Sequence, residues 1–160
     1  MDMNNIINNL DSSKYKTLLN LTSEKITTIT QNVLNNLNID NSIKNAYTNK
    51  LNNYKYIYNL EDLNVGSYIK SISIETNKLN NASILCDITI NDNGILLTCK
   101  NFKNRYFSIN MEMFYIFQKI TLQESIILNA LDHIQYSNNN SNYTTDDSNY
   151  TTDDELSIHF

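Results

Sequence analysis

The sequence predicts an α+β protein: an N-terminal helical segment, a five-stranded antiparallel meander or small β-barrel, a C-terminal capping helix and a disordered acidic tail. Three observations carry this. Apolar residues follow helical spacing before residue 54, alternate in runs from Tyr56 to Ile120, and return to helical spacing up to Ile134. The alternating runs are short and separated by turn-forming residues, as in a meander. After Tyr136 the apolar pattern stops, and SNYTTDDSNYTTDD writes one seven-residue unit twice. The expected divisions are a helical segment over 1–54, a small β domain with its capping helix over 55–135, and a tail over 136–160.

The first clear helix signal is LTSEKITTITQNVLNNL. Thr22 or Ser23 can cap it, Glu24 sits in its first turn, and Leu21 can staple onto Ile26. Ile26, Ile29, Val33 and Leu37 then mark one face. The threonines lower propensity, so this helix needs a packing partner. Asp40 or Asn41 can cap a second helix, with Ile43, Ala46 or Tyr47, Leu51 and Tyr54 facing inward. Before them, Ile6, Ile7, Leu10, Tyr15, Leu18 and Leu19 can line two shorter helical pieces.

Gly66 reads as a turn glycine opening the first strand, SYIKSISIE (67–75), with Ile72 and Ile74 on one face. The second strand, ASILCDITI (82–90), alternates, and NDNG (91–94) is the strongest turn signal in the chain. ILLTCK (95–100), RYFSIN (105–110) and MFYIFQKI (113–120) complete the set. A two-residue loop at Asn93–Gly94 and a four-residue loop at 91–94 give the same parity. Either places Ile84, Cys86, Ile88, Ile90, Ile95, Leu97 and Cys99 on one apolar face. In TLQESIILNALDHIQ, Thr121 and Glu124 form a capping box, and Ile126, Ile127, Ala130, Leu131 and Ile134 a stripe.

Composition limits the chemistry. The 160 residues suit one domain, with two glycines, no proline, no tryptophan, 30 asparagines and a single arginine. Gly, Pro, Ala and Arg use GC-rich codons, so the skew reads first as an AT-rich genome. Residues 1–135 hold twelve basic and twelve acidic side chains; residues 136–160 hold five acidic ones and no Lys or Arg. A neutral body with an acidic tail is a poor overall match for nucleic acid and offers no polybasic segment to a membrane. No run approaches a membrane span and the start lacks a signal-peptide pattern, so the expectation is a soluble intracellular product.

Cys86 and Cys99 read as buried thiols behaving as small hydrophobes, since no second pair or nearby His completes a metal shell. His133 and His159 lie in separate segments, and no glycine-rich loop is present to hold phosphate. No catalytic residue, cofactor, metal or small-molecule substrate is expected. The candidate interaction surface is Lys100, Lys103, Arg105, Tyr106, Tyr115 and Lys119, where aromatics and cations interleave. The duplicated unit has no aliphatic residue and cannot offset its ordering cost. There Thr144, Thr151 and Thr152 stand three residues before an acid, as acidophilic kinases favour.

Residues 60–120 resemble small uncharacterised β-module proteins of giant nucleocytoplasmic DNA viruses. The matching positions are Leu63, Gly66, Tyr68, Ile69, Lys70, Leu79, Ala82, Ile116, Phe117 and Lys119. The match departs at Asn81–Ala82, where a glycine pair is expected, and at Tyr106 or Phe107, where a tryptophan is. The resemblance implies a virion-associated β module, in a virion or host cytoplasm, with no catalytic residues. Two functions follow: first a non-enzymatic structural or protein-interaction role, including self-association; second, single-stranded nucleic-acid binding on the same sheet.

Overall fold

In the computed structural model, which describes Leu18 and residues 21–141, the first helix begins where the sequence offers a cap. Helix α1 is Ser23–Asn35; the Thr22 hydroxyl accepts from the Lys25 N–H at 3.2 Å. Asp132 adds a carboxylate at the same end, accepting from the Ser23 N–H at 3.0 Å. The buried face is Ile26, Thr30, Val33 and Leu34, continued by Leu37. Ile29, expected inside, is exposed, and Leu34 takes its place. Two different bodies pull on this helix: Ile26 packs beside Leu18, while Val33, Leu34 and Leu37 pack on the sheet.

Helix α2 is Asn41–Lys50, with Asp40 at the cap position but without a side-chain cap bond. Ile43 is exposed, contrary to expectation, whereas Leu51 is buried. Tyr47 fastens α2 to the sheet: its hydroxyl donates to the Asn77 carbonyl and accepts from the Leu79 N–H, both at 3.1 Å. Gln31 donates to the Thr48 hydroxyl at 3.0 Å and ties α1 to α2.

The sheet has six strands: β1 (Tyr54–Tyr56), β2 (Tyr68–Ser73), β3 (Ser83–Asn91), β4 (Gly94–Lys100), β5 (Tyr106–Asn110) and β6 (Phe114–Lys119). The five expected strands are present to within two residues. Tyr54, assigned above to a helix face, instead opens an additional strand. The order is β1-β6-β2-β3-β4-β5, antiparallel at every pairing, and the sheet is not closed. The meander therefore ends at β5, and β6 inserts between β1 and β2.

That insertion bends the sheet. Four inter-strand steps separate β5 from β6, about 19 Å if flat. The link through the 3-10 turn Met111–Met113 reaches only about 14 Å at full extension. The sheet must curl, and its inner face then packs on itself. Ile69, Leu85, Leu97, Cys99, Ile109 and Ile116 share one buried cluster with Ile57 and Leu63 from the β1–β2 connection. Gln118 is fully buried there and holds that connection, accepting from the Asn64 N–H at 2.8 Å and donating to the Asp62 carbonyl at 3.1 Å. On the outer face, Ile72 and Phe117 pack under α1 and Leu51.

The β3–β4 hairpin adopts the register of the four-residue alternative, Asn91 opposite Gly94, which has φ +103°. The pairing then slips between Leu85 and Asp87, so Cys99 faces Leu85. The bulge falls at Cys86 and reverses the parity of everything before it. Leu85 and Ser83 therefore turn inward instead of Cys86 and Ile84. Cys86 is half-buried, Cys99 fully so, and Ile90 is exposed. The expected seven-residue face is broken at its first two positions. Ile74 is also exposed, beyond the end of β2.

Helix α3, Leu122–Ser141, starts at the expected capping box: Glu124 N–H donates to the Thr121 hydroxyl, and Thr121 N–H to the Glu124 carboxylate, both at 3.2 Å. Its inner residues include Ile127 and Leu128, with Ile126 exposed. They pack with Leu18 and Ile26, not on the sheet's apolar face, so α3 flanks α1 and is not the sheet's lid. Residues 136–141, assigned above to the tail, are helical. The rest of the tail, and the N-terminal pieces apart from the buried Leu18, lie outside the described residues.

Glu124 has a second duty: its carboxylate meets the Lys55 ammonium at 2.9 Å, with both side chains largely out of solvent. Removing one partner of such a pair strands the other charge. Glu124→Ala is expected to lower unfolding free energy by about 3 kcal/mol, and Thr121→Ala, which loses only a cap bond, by about 1 kcal/mol. Urea unfolding of the two variants checks the ranking.

Candidate functional site

The strand register brings six residues into one line across the outer face. Tyr54 on β1 pairs with Lys119 on β6. Ile69 pairs with Gln118, which sets Tyr68 of β2 beside Lys119. Tyr68 pairs with Ile84 on β3, Ile84 with Lys100 on β4, and Lys100 with Tyr106 on β5. The line reads Tyr54, Lys119, Tyr68, Ile84, Lys100, Tyr106, with rings and ammonium groups interleaved and no acidic side chain. The bulge at Cys86 matters here, because it is what turns Ile84 outward into the line.

The cations rest on the rings. Lys119 lies 5.6 Å from the Tyr68 centroid, Lys100 5.5 Å from Tyr106, and Lys70, one row in, 4.5 Å from Tyr54. The rings of Tyr68, within the line, and Tyr106, at its end, remain open: Tyr68 is 48% and Tyr106 65% exposed. Beside the line, between Tyr68, Ile84 and Lys100, is a groove of about 170 Å³ walled by Phe102, itself 77% exposed.

The β4–β5 turn is held in place from within. The Asn101 side-chain oxygen accepts from the N–H groups of Lys103 and Arg105 at 2.9 and 3.0 Å, and Asn104 takes the left-handed conformation at φ +60°. This fixes Lys103 and Arg105 next to Tyr106. At the other end, the Lys70 ammonium bonds the Lys50 carbonyl. Burial first, then the Lys50 and Lys119 charges, push the Lys70 pKa below the usual lysine value. Burial, then Tyr68, raises that of Tyr54.

Lys50, Lys70, Lys100, Lys103, Arg105 and Lys119 form no ion pair with a carboxylate among the described residues. Asp92 and Glu112 gather instead at the far end of the sheet, around the β3–β4 turn, where a Cβ on Gly94 would meet the Glu112 carboxyl at 3.3 Å. The chain is neutral over its described length, and the line itself carries no acidic side chain.

Of the residues expected at an interaction surface, Lys100, Tyr106 and Lys119 lie on the line, with Lys103 and Arg105 beside it. Tyr115 does not. It pairs with Ile72, sits 6.2 Å from the Tyr56 ring and belongs to the core under the helices. Tyr54, Tyr68, Lys70 and Phe102 were missed. Tyr68 and Lys119 are far apart in sequence, and only the non-consecutive β2–β6 pairing joins them. Thr144, Thr151 and Thr152 lie outside the described residues, as does His159; His133 is exposed on α3.

Other features offer less. A cavity of about 520 Å³ between α1, the end of α2 and β1 is lined by Thr, Asn and Gln side chains together with Ile26, Leu51, Ile120 and Leu128. Among the described residues no group of three or more His, Cys, Asp or Glu is placed to hold a metal ion, and no helix is long and apolar enough to cross a membrane. Burial pushes the Cys99 thiol up to about 11, outweighing a hydrogen bond with Ser83. Iodoacetamide at about pH 8 is therefore expected to alkylate Cys86 alone in the folded protein, and Cys99 only after unfolding; peptide mass mapping reads the difference.

No protein-family model, curated protein or solved structure matches this chain. The resemblance of residues 60–120 to β modules of giant DNA viruses thus rests on its sequence pattern alone.

Proposed function

We propose that the protein is a binding module for single-stranded nucleic acid, with the outer-face line as its platform. The observation that supports it is the alternation, across adjacent strands, of open tyrosine rings with lysines that form no ion pair among the described residues. A single strand offers two things to such a surface: base faces that stack on aromatic rings, and phosphates that meet cations. Tyr68 and Tyr106 stand three strands apart, about 14 Å along the sheet, with Lys100 between them. Phosphate near Lys70 would also relieve the crowding of positive charge there.

Fluorescence anisotropy with an oligothymidylate of about 20 nucleotides tests the reading. Binding is expected at low salt, with log affinity falling against log salt at a slope no steeper than about −4, the limit for six phosphate contacts on a single strand. Absence of binding at about 20 mM salt would overturn it. The structural or protein-interaction role favoured by the sequence makes a different forecast: polyglutamate of similar length then binds as tightly as the oligonucleotide, because charge alone is being read.

A further inference from the structure

The charge that complements the outer line is present in the same chain. Residues 142–160 follow Ser141 at the end of α3 and hold Asp146, Asp147, Asp153, Asp154 and Glu155 without a lysine or arginine. Each copy of SNYTTDD sets one tyrosine, Tyr143 or Tyr150, three and four residues before an acidic pair. Ring followed by carboxylates is the counterpart of the ring-and-ammonium alternation on the sheet.

Reach and concentration both permit the contact. The 19 residues from 142 to 160 span about 60 Å at full extension, while a domain of this length has a radius of gyration of about 15 Å. Joining the two surfaces in one chain gives an effective concentration of about 1 mM, so a contact with a dissociation constant of about 0.1 mM is formed some nine-tenths of the time. Six cations without a carboxylate partner among the described residues are available to it on the body.

We propose that the acidic segment 142–160 docks on the outer-face line of its own chain and closes that line to other polyanions. The proposal rests on the reading of the line as a polyanion platform, and deepens it by naming its regulator. Docking of this kind weakens with salt, because the Debye length shrinks to about 3 Å at 1 M.

Two measurements on the full chain test it. Carbodiimide coupling joins a carboxylate to a lysine amine only where the two touch. Monomeric products are expected to link the acids of 142–160 to Lys100, Lys103, Lys70 or Lys119, and the links are expected to vanish at about 1 M salt. Links scattered over Lys25, Lys44 and Lys78, or confined to dimers, would overturn the docking. Second, the variant carrying D146N, D147N, D153N, D154N and E155Q is expected to bind oligothymidylate about tenfold more tightly than the parent at low salt. Equal affinity for both, without links to the line, overturns the proposal and leaves the nucleic-acid reading standing. Links to the line with no oligonucleotide bound by either protein support the docking and remove the nucleic-acid reading.

Discussion

Replacing Tyr68 and Tyr106 together by alanine is expected to weaken oligothymidylate binding at least about 30-fold, because each stacked base contributes about 1–3 kcal/mol. Both rings are largely open and stand on neighbouring parts of one sheet face, so their removal should leave the core intact. The salt slope should barely move, since the lysines that meet phosphate remain. Lys100→Ala and Lys119→Ala should do the reverse, each reducing the slope by about 0.7 with a smaller loss of affinity. Two controls make the experiment specific. Tyr58 is highly exposed but lies off the line, and Tyr115 lies in the helix-covered core. Tyr58→Ala and Tyr115→Phe should bind like the parent. If the off-line substitution weakened binding as much as the double variant, the line would have no special status.

The largest stability loss is expected at Phe117. Its ring is fully buried on β6, 5.5 Å from Tyr56 and packed with Val33 and Leu34 from the first helix, Leu37 just after it and Leu51 after the second. Phe117→Ala should cost about 3–5 kcal/mol, seen as a lower urea midpoint with an unchanged slope. Phe107→Ala, on the edge strand and over a third exposed, should cost about 1 kcal/mol or less. Comparable losses at the two positions would mean that the helices do not depend on the inserted strand β6. The two experiments are complementary, because one removes the surface and the other its foundation.

Much of this fold was legible in the sequence, and the residues show why. Thr22 and the Thr121–Glu124 box announced two helix starts, since a helix end has few ways to satisfy its free N–H groups. Alternation announced five strands. It failed to reveal pairing, because period two says which residues share a face and nothing about which strand lies next door. That is why the meander was extended one strand too far. The slip at Cys86 was equally hidden: a bulge needs only one extra residue, and the run Ile84, Cys86, Ile88, Ile90 looks regular across it. Ile29 and Ile126 misled for another reason, as an isoleucine-rich chain spends that residue outside as well as inside. The half of the site on β4 and β5 could be read from local clustering. The half formed by Tyr54, Tyr68 and Lys70 could not, since it exists only once distant strands meet.

The strand synthesised last in this sheet occupies an interior place, second from the β1 edge. Until Lys119 is available, β1 has no neighbour at all and β2 has one side unpaired. Assembly thus waits on contacts between residues some 65 positions apart, such as Tyr54 with Lys119, and such remote closures slow the search for the native arrangement. A chain cut before Phe114 would keep Ile72 and the Asn77 and Leu79 contacts of α2, yet lose Phe117 and Tyr115 from the surface under α1, so the seating of the first helix depends on residues more than 75 positions downstream.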